Sequence, residues 1–287
     1  QPLRLHATLY YVMDDPQITD AEYDELFRCV QAIEAVHTDW LTPQSPTQTV
    51  GGKIKNDLKP VVHKRPMLSL ATKTQNGLQN HAQEFDDFVR KELEGQTVAY
   101  ATEPKYDGLA LSLTYVDGVL TKAATRGDST TGEDVTLNAS TVSGVPSKIT
   151  AVKGKIPYEM EVRGEVVMPR SVFQELNKKL QEDGQKLLAN PRNAAAGAMR
   201  QLDPKMAAAK KLDFMAYAVF SDGEPIASSH SQSLEWLEQH GFHASKERRV
   251  VHTYQELEKY HEKKKKIRDS LPYEIDGVVY KVDDFSQ

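Results

Sequence analysis

Apolar positions recur every three to four residues in some stretches and every second residue in others, so the chain reads as helices mixed with half-buried strands. Tyr23, Leu26, Phe27, Val30 and Ile33 line one helical face. Thr19-Asp-Ala-Glu22 ahead of them has the spacing of a capping box, in which the hydroxyl and the carboxylate satisfy amides of the first turn. A shorter apolar run over residues 3–12 lies across Pro16, and the two together predict an antiparallel helix pair. Further helices are predicted over 78–93, 171–182, 194–201, 233–239 and Tyr254–Ile267. Strand periodicity appears at 98–102 and at Leu109, Leu111, Leu113 and Tyr115. Asp117-Gly118 then predicts a hairpin turn and a return strand toward Thr125. More strands are predicted at 158–168, 212–220 and Ile275–Val282. Hairpins with helices laid against them predict an α+β fold rather than the regular βαβ rhythm. Residues 42–66, rich in Pro, Gly, Ser, Thr and Lys, read as a linker.

Composition divides this picture in two. The first 60 residues hold five basic and nine acidic side chains, so most of the net charge of −5 sits there. The remainder is nearly neutral, which predicts a small acidic helical module attached to a larger mixed body. A length of 287 residues suits two domains. No apolar stretch approaches the ~20 residues of a membrane helix, and the start Gln-Pro-Leu-Arg does not read as a secretory signal. A single cysteine, Cys29, excludes an internal disulfide and any C-x-x-C zinc or redox site within these residues. The mild acidity argues against gripping nucleic acid by bulk charge.

Neither a phosphate-binding G-x-x-x-x-G-K-[ST] nor a G-x-G-x-x-G fingerprint occurs. His240-Gly-Phe-His243 reads as two surface histidines near a helix end, and Lys263–Lys266 as a solvated helix face, with phosphate contact as the alternative. Chemistry concentrates elsewhere. Glu103-Pro-Lys105-Tyr-Asp-Gly108 sets a lysine between two acids at the end of a strand. A lysine becomes a nucleophile once its amine is deprotonated by desolvation or by nearby positive charge. Thr125-Arg-Gly-Asp128, Val162-Arg-Gly-Glu165 and Asp276-Gly-Val-Val-Tyr-Lys281 supply, in that order, an arginine by a turn, a carboxylate in a strand and a lysine ending the last strand. Arg and Lys suit phosphate oxygens; carboxylates suit a metal or sugar hydroxyls.

These four stretches resemble motifs I, Ia, III and IV of the covalent nucleotidyltransferases, which include DNA ligases and capping enzymes. The run Asn190-Pro-Arg-Asn-Ala-Ala-Ala-Gly-Ala-Met-Arg-Gln-Leu202 resembles a signature of the bacterial NAD-dependent DNA ligases. So do Ser45-Pro-Thr-Gln48, His63-Lys-Arg-Pro-Met-Leu-Ser-Leu70 and Asp20-Ala-Glu-Tyr-Asp24. The likeness extends over essentially the whole chain. It implies a helical module for nicotinamide mononucleotide (NMN) over residues 1–57. It further implies a nucleotidyltransferase adenylation domain over 58–287, ATP-grasp-like, with antiparallel sheets flanked by helices.

The resemblance also implies roles. Lys105 would attack the α-phosphate of NAD and carry AMP. Glu103 would contact the adenine amine, and Ser69 and Leu70 would line the adenine or ribose side. Arg126 and Glu165 would hold the ribose and the reacting phosphate. Tyr217 would stack on adenine, the alternative being a strand core residue. Lys281 would neutralise the α-phosphate and favour the neutral amine of Lys105. Arg192, Arg200 and Arg268 resemble arginines for the nicotinamide side or DNA phosphates. Tyr10, Asp20, Ala21, Glu22, Tyr23 and Asp24 match the NMN pocket, where tyrosine faces and carboxylates suit a cationic ring. Tyr11 departs from the family's usual histidine. Mg²⁺ is expected near the NAD phosphates without a confident protein metal site, and Zn²⁺ only in a C-terminal part beyond this sequence. The resemblance implies a monomeric, cytoplasmic bacterial enzyme with no membrane association, acting on nicked duplex DNA. It also implies an adenylation fragment, since a further lysine motif, an OB fold, a zinc finger, helix-hairpin-helix repeats and a BRCT domain would follow Gln287. Two alternatives accompany this reading: an NAD-binding but catalytically impaired fragment, and an ATP-dependent nucleotidyltransferase.

Overall fold

The computed structural model describes residues 3, 5–6, 17–18, 20–40, 45, 47, 58–71, 81–151 and 156–287. Contacts divide the chain into two compact units, residues 1–70 with 124–135 and residues 71–123 with 136–287. In chain order the elements are α1 (Asp20–Val36), β1 (Pro60–Val62), α2 (His81–Glu92), β2 (Tyr100–Tyr106), β3 (Leu109–Val116), β4 (Val119–Thr125), β5 (Thr131–Glu133) and α3 (Thr136–Ala139). They continue with β6 (Glu159–Val167), α4 (Arg170–Glu182), α5 (Pro191–Met199), α6 (Pro204–Ala208), β7 (Asp213–Ser221) and β8 (Glu224–Pro225). The last are α7 (His230–Gln239), β9 (Arg249–Val251), α8 (Tyr254–Ile267) and β10 (Ile275–Val282). The expected α+β class holds: every named strand pair with a printed register is antiparallel.

In the first unit, α1 starts where the capping-box spacing puts it, and Tyr23 lies half-buried against Phe27 at 6.5 Å between ring centroids. Leu3, Leu5 and His6 are helical, but most of the predicted first helix, with Tyr10, Tyr11 and Thr19, lies outside the described residues, as do the side chains of Asp20, Ala21 and Asp24. One end of the predicted linker is ordered: Pro60, Val61 and Val62 pair with Glu133, Gly132 and Thr131. The linker reading is corrected there. Composition marked the stretch as irregular, yet β1 needs only three residues and a partner some seventy positions away.

The second unit carries two sheets. The larger has the order β4-β3-β6-β7-β8, and the smaller β10-β2-β9. Asp117 and Gly118 both take positive φ, 50° and 72°, as a two-residue hairpin turn between β3 and β4 requires. Leu111, Leu113, Tyr115, Met160, Val162, Phe214 and Val219 are buried on the larger sheet. The smaller sheet packs Tyr100 against Ala82, Val89, Val98 and Leu257, with Phe85 and Tyr280 completing the cluster. Signature residues of the 190–202 run act structurally. The Asn190 side chain caps α5 by accepting from Asn193 N, Pro191 fills the first turn, and Ala194, Ala195, Ala196 and Ala198 are buried. Small side chains there let the helix approach the sheet closely.

Four expectations are corrected. Strand β2 continues four residues past Thr102 because β10 pairs with it through Tyr106. Helix α7 starts at His230, three residues earlier than the apolar spacing suggested, because Ser229 caps it through Gln232 N. The lysine run is not uniformly solvated: Lys264 is buried, ion-paired with Glu247 and 5.1 Å from the Tyr260 ring. His240 is likewise buried, stacked on Trp236 at 3.8 Å, while His243 bonds Asp213 at 2.7 Å. No three-residue group of His, Cys, Asp or Glu able to hold a metal occurs among the described residues. No helix among them is long and apolar enough to cross a membrane.

A Cβ at Gly108, in the turn between β2 and β3, would run into the backbone carbonyl of Val166. Gly108→Ala is therefore expected to destabilise the chain by about 1–3 kcal/mol, since backbone cannot swing aside like a side chain. Denaturant midpoints of the two proteins check this.

Candidate active site

Strand pleating fixes which residues share a face. On β2, Ala101, Glu103 and Lys105 point one way, and they lie opposite Lys281, Val279 and Gly277 of β10. Glu103 and Lys281 are thus diagonal cross-strand neighbours. Lys281 Nζ donates to Glu103 Oε1 at 2.5 Å and stands 5.5 Å from the Tyr217 ring centroid. His230 Nε2 lies 3.2 Å from the same Glu103 oxygen and 3.2 Å from Lys281 Nζ. Glu103 and His230 are both buried. Burial by itself would push the Glu103 carboxyl up, but the Lys281 ammonium and the His230 hydrogen bond outweigh it and bring it down to about 2.

Because the folded value falls below the ordinary 4.5, ionisation of Glu103 stabilises the fold above that pH. The contribution disappears as pH falls from 4.5 through about 2. Glu103→Gln is expected to flatten this part of the acid limb in melting temperature against pH.

Two bulges aim the surrounding side chains. On β10 the pairing jumps from Ile275 to Gly277, leaving Asp276 as the extra residue, and Asp276 Oδ2 accepts from Lys105 Nζ. On β7, Ala216 faces Gly164 and Ala218 faces Arg163, so Tyr217 is the extra residue and leans half-buried toward Lys281. Glu165 sits on β6 between Ala110 and Met215. Arg192, on the first turn of α5, donates from Nη1 to Asp107 Oδ1 at 2.9 Å and so braces the turn that follows Lys105. Arg200 ends the same helix, and Arg268 is exposed after α8.

The structure thus brings together Lys105, Glu103, Tyr217 and Lys281 around β2, with one difference from expectation. Lys281 bonds Glu103, whereas the Lys105 amine bonds Asp276. Opposite Ala101, Lys281 sits four positions along the ladder from Gly277, the partner of Lys105, or roughly 13 Å of strand. Within the first unit, Arg126 Nη1 reaches Ser69 Oγ at 3.4 Å, and Leu70 is exposed. His63 Nε2 contacts the carbonyl oxygens of Thr125 and Arg126 at 3.0 and 3.3 Å, fixing the turn that carries Arg126. Glu22 is exposed on α1. Sequence reading missed Asp276 as a contact and His230 altogether. The Ser229 cap was a usable signal for where α7 begins, but nothing local ties His230 to a glutamate 127 positions earlier.

Residues 55–287 match the family described as NAD-dependent DNA ligase adenylation domain. Residues 1–51 match a second family model, the DNA ligase-like N-terminal NAD+-binding domain. The chain belongs to the NAD-dependent DNA ligase adenylation-domain family. It is 44% identical over its whole length to a protein named DNA ligase from Anoxybacillus flavithermus (strain DSM 21510 / WK1), and it spans 41% of that relative's length. Similar solved structures include mycobacterial DNA ligase D complexed with ATP and MES, at 14% identity and a TM-score of 0.37 over 65% of this chain and 49% of that one. The ATP-dependent DNA ligase from bacteriophage T7 in complex with ATP is also similar, at 14% identity and 0.37, over 69% of this chain and 62% of that one.

Proposed function

We propose that the chain performs the lysine-adenylylation step of nick sealing. The neutral amine of Lys105 attacks the α-phosphorus of NAD; a P–N bond forms, the P–O bond to NMN breaks, NMN leaves with the bonding electron pair, and the new phosphoramidate nitrogen gives up its extra proton to solvent. The AMP then passes to a 5′-phosphate at a nick in duplex DNA, and attack by the 3′-hydroxyl joins the strands and releases AMP. These later steps are proposed for the whole protein, acting as a monomer. Lys105 standing on one strand face with the buried Glu103 and its partner Lys281 is the observation that carries the reading.

In this reading Glu103 accepts from the adenine amine; Lys281, bonded to Glu103 and near the Tyr217 ring, borders the base with Tyr217 instead of serving the α-phosphate as the resemblance implied; and Arg126, Glu165, Ser69 and Leu70 serve the ribose and reacting phosphate. Residues 1–57 form the NMN module, with Tyr10, Asp20, Ala21, Glu22, Tyr23 and Asp24 in its pocket, and residues 58–287 form the adenylation domain. Mg²⁺ would be carried mainly on the substrate phosphates, with few protein ligands. When bound it neutralises phosphate charge.

A second reading, an NAD-binding module that does not adenylylate itself, has one observation in its favour: the Lys105 amine is ion-paired with Asp276. Intact mass spectrometry after incubation with NAD and Mg²⁺ decides between them. A covalent gain of one AMP supports adenylylation; NAD binding without that gain supports the module; a gain from ATP but not from NAD overturns both.

A further inference from the structure

One buried side chain at this site has no part in the reading above. His230 is 4% exposed, and its ring touches the two residues assigned to the base, Glu103 and Lys281. Burying a ring N–H is unfavourable unless an acceptor takes it. The surrounding backbone is arranged to hold this ring. His230 N donates to Asp283 O at 2.8 Å, and Ser231 N and Oγ donate to the two Asp283 carboxylate oxygens at 2.8 and 2.9 Å. Phe285 meets the ring edge-on at 6.4 Å. Asp283 and Phe285 follow two and four residues after Lys281, so one segment fixes the lysine and the histidine relative to each other.

Lys281 Nζ and His230 Nε2 both meet Glu103 at Oε1, and no side chain among the described residues meets Oε2. An ionised carboxylate only accepts, while a protonated one also donates.

We propose that His230 is a positioning residue for base selection: its Nε2–H holds Glu103 as an acceptor and leaves Oε2 for the 6-substituent, so the site takes a 6-amino purine over a 6-oxo purine. This rests on the reading in which Glu103 meets the adenine amine. Without the histidine donor, the carboxylate can turn, or take a proton and offer an O–H to a 6-oxo group. Sites that select through buried polar groups discriminate far more sharply than sites that select by fit.

The test compares binding of AMP and of inosine monophosphate to the chain by calorimetry, with melting temperature as a check on folding. The unsubstituted chain is expected to prefer AMP. His230→Ala is expected to cut that preference about tenfold, the scale of one hydrogen bond to a charged group. His230→Gln, whose amide can donate to the same oxygen, is expected to keep the preference within about threefold. If His230→Ala melts early, His230→Met fills similar volume without a donor and is expected to lose the preference in the same way. Glu103→Gln, which can present either a donor or an acceptor, is expected to lose it too. Equal binding of both nucleotides by the unsubstituted chain, or a preference that survives Glu103→Gln, overturns the base-contact reading and the His230 proposal with it. A preference lost in Glu103→Gln but fully kept in folded His230→Ala or His230→Met overturns the His230 proposal alone.

Discussion

Lys105→Ala is expected to abolish the covalent gain of AMP from NAD, a loss of at least about 10³-fold, because the attacking atom itself is removed. Lys105→Arg should lose it equally: a guanidinium keeps the positive charge and much of the reach but does not deprotonate in proteins. The pair separates charge from nucleophilicity, which a single alanine cannot. Folding should be largely unaffected, since Lys105 is about two-fifths exposed and its ion pair with Asp276 lies in solvent. Intact mass reads the chemistry, and calorimetry with NAD reads binding. A Lys105→Arg protein that still gained AMP would show that another residue is the nucleophile.

The second large effect is expected at Lys281. Its ammonium neutralises a carboxylate whose side chain is only 7% exposed. Lys281→Ala leaves Glu103 buried with His230 as its remaining partner, and breaking a buried pair from one side typically costs about 3–5 kcal/mol. Partial exposure of the lysine places this protein toward the lower end of that range. Lys281→Ala is also expected to weaken AMP binding by at least about tenfold, since the base loses a neighbouring donor and the Tyr217 ring loses the cation 5.5 Å away. The double variant Lys281→Ala/Glu103→Gln should recover part of the stability but little of the binding. Urea midpoints and calorimetry separate the two, and equal recovery of both would mean that Lys281 acts on the base only through Glu103.

What could be read from the sequence follows the range of the interactions involved. Helix α8 and strand β10 match their predicted limits because each is written locally, in a Thr253 cap with Glu256 three residues on and in a period-two apolar run. The chemical residues were also legible, because a lysine between acids and an arginine or lysine by a turn are patterns of neighbours. Partners were not. Asp276 reaches Lys105, and Tyr217 leans toward Lys281, through bulges that exist only once specific strands have paired. His230 packs in a helical first turn that meets Glu103 only through tertiary folding. The same limit explains β1, whose three residues look like linker until Thr131–Glu133 lies beside them. It explains Lys281 as well: in sequence it is another cation of the site, and only the ladder register assigns it to Glu103.

Strand β2 has one more property, set by the proline beside the nucleophile. Asp107 N bonds Glu274 O and Asp283 N bonds Ala99 O, so odd-numbered residues of this strand turn their backbone groups toward β10. Pro104, being even, turns toward the other side, where the β9 ladder has already ended at Thr102. The missing amide hydrogen therefore falls on an edge and breaks no bond of the sheet. Pro104 is buried there, so the residue before the nucleophile fills that side of the strand with a ring instead of an amide that would need a buried acceptor.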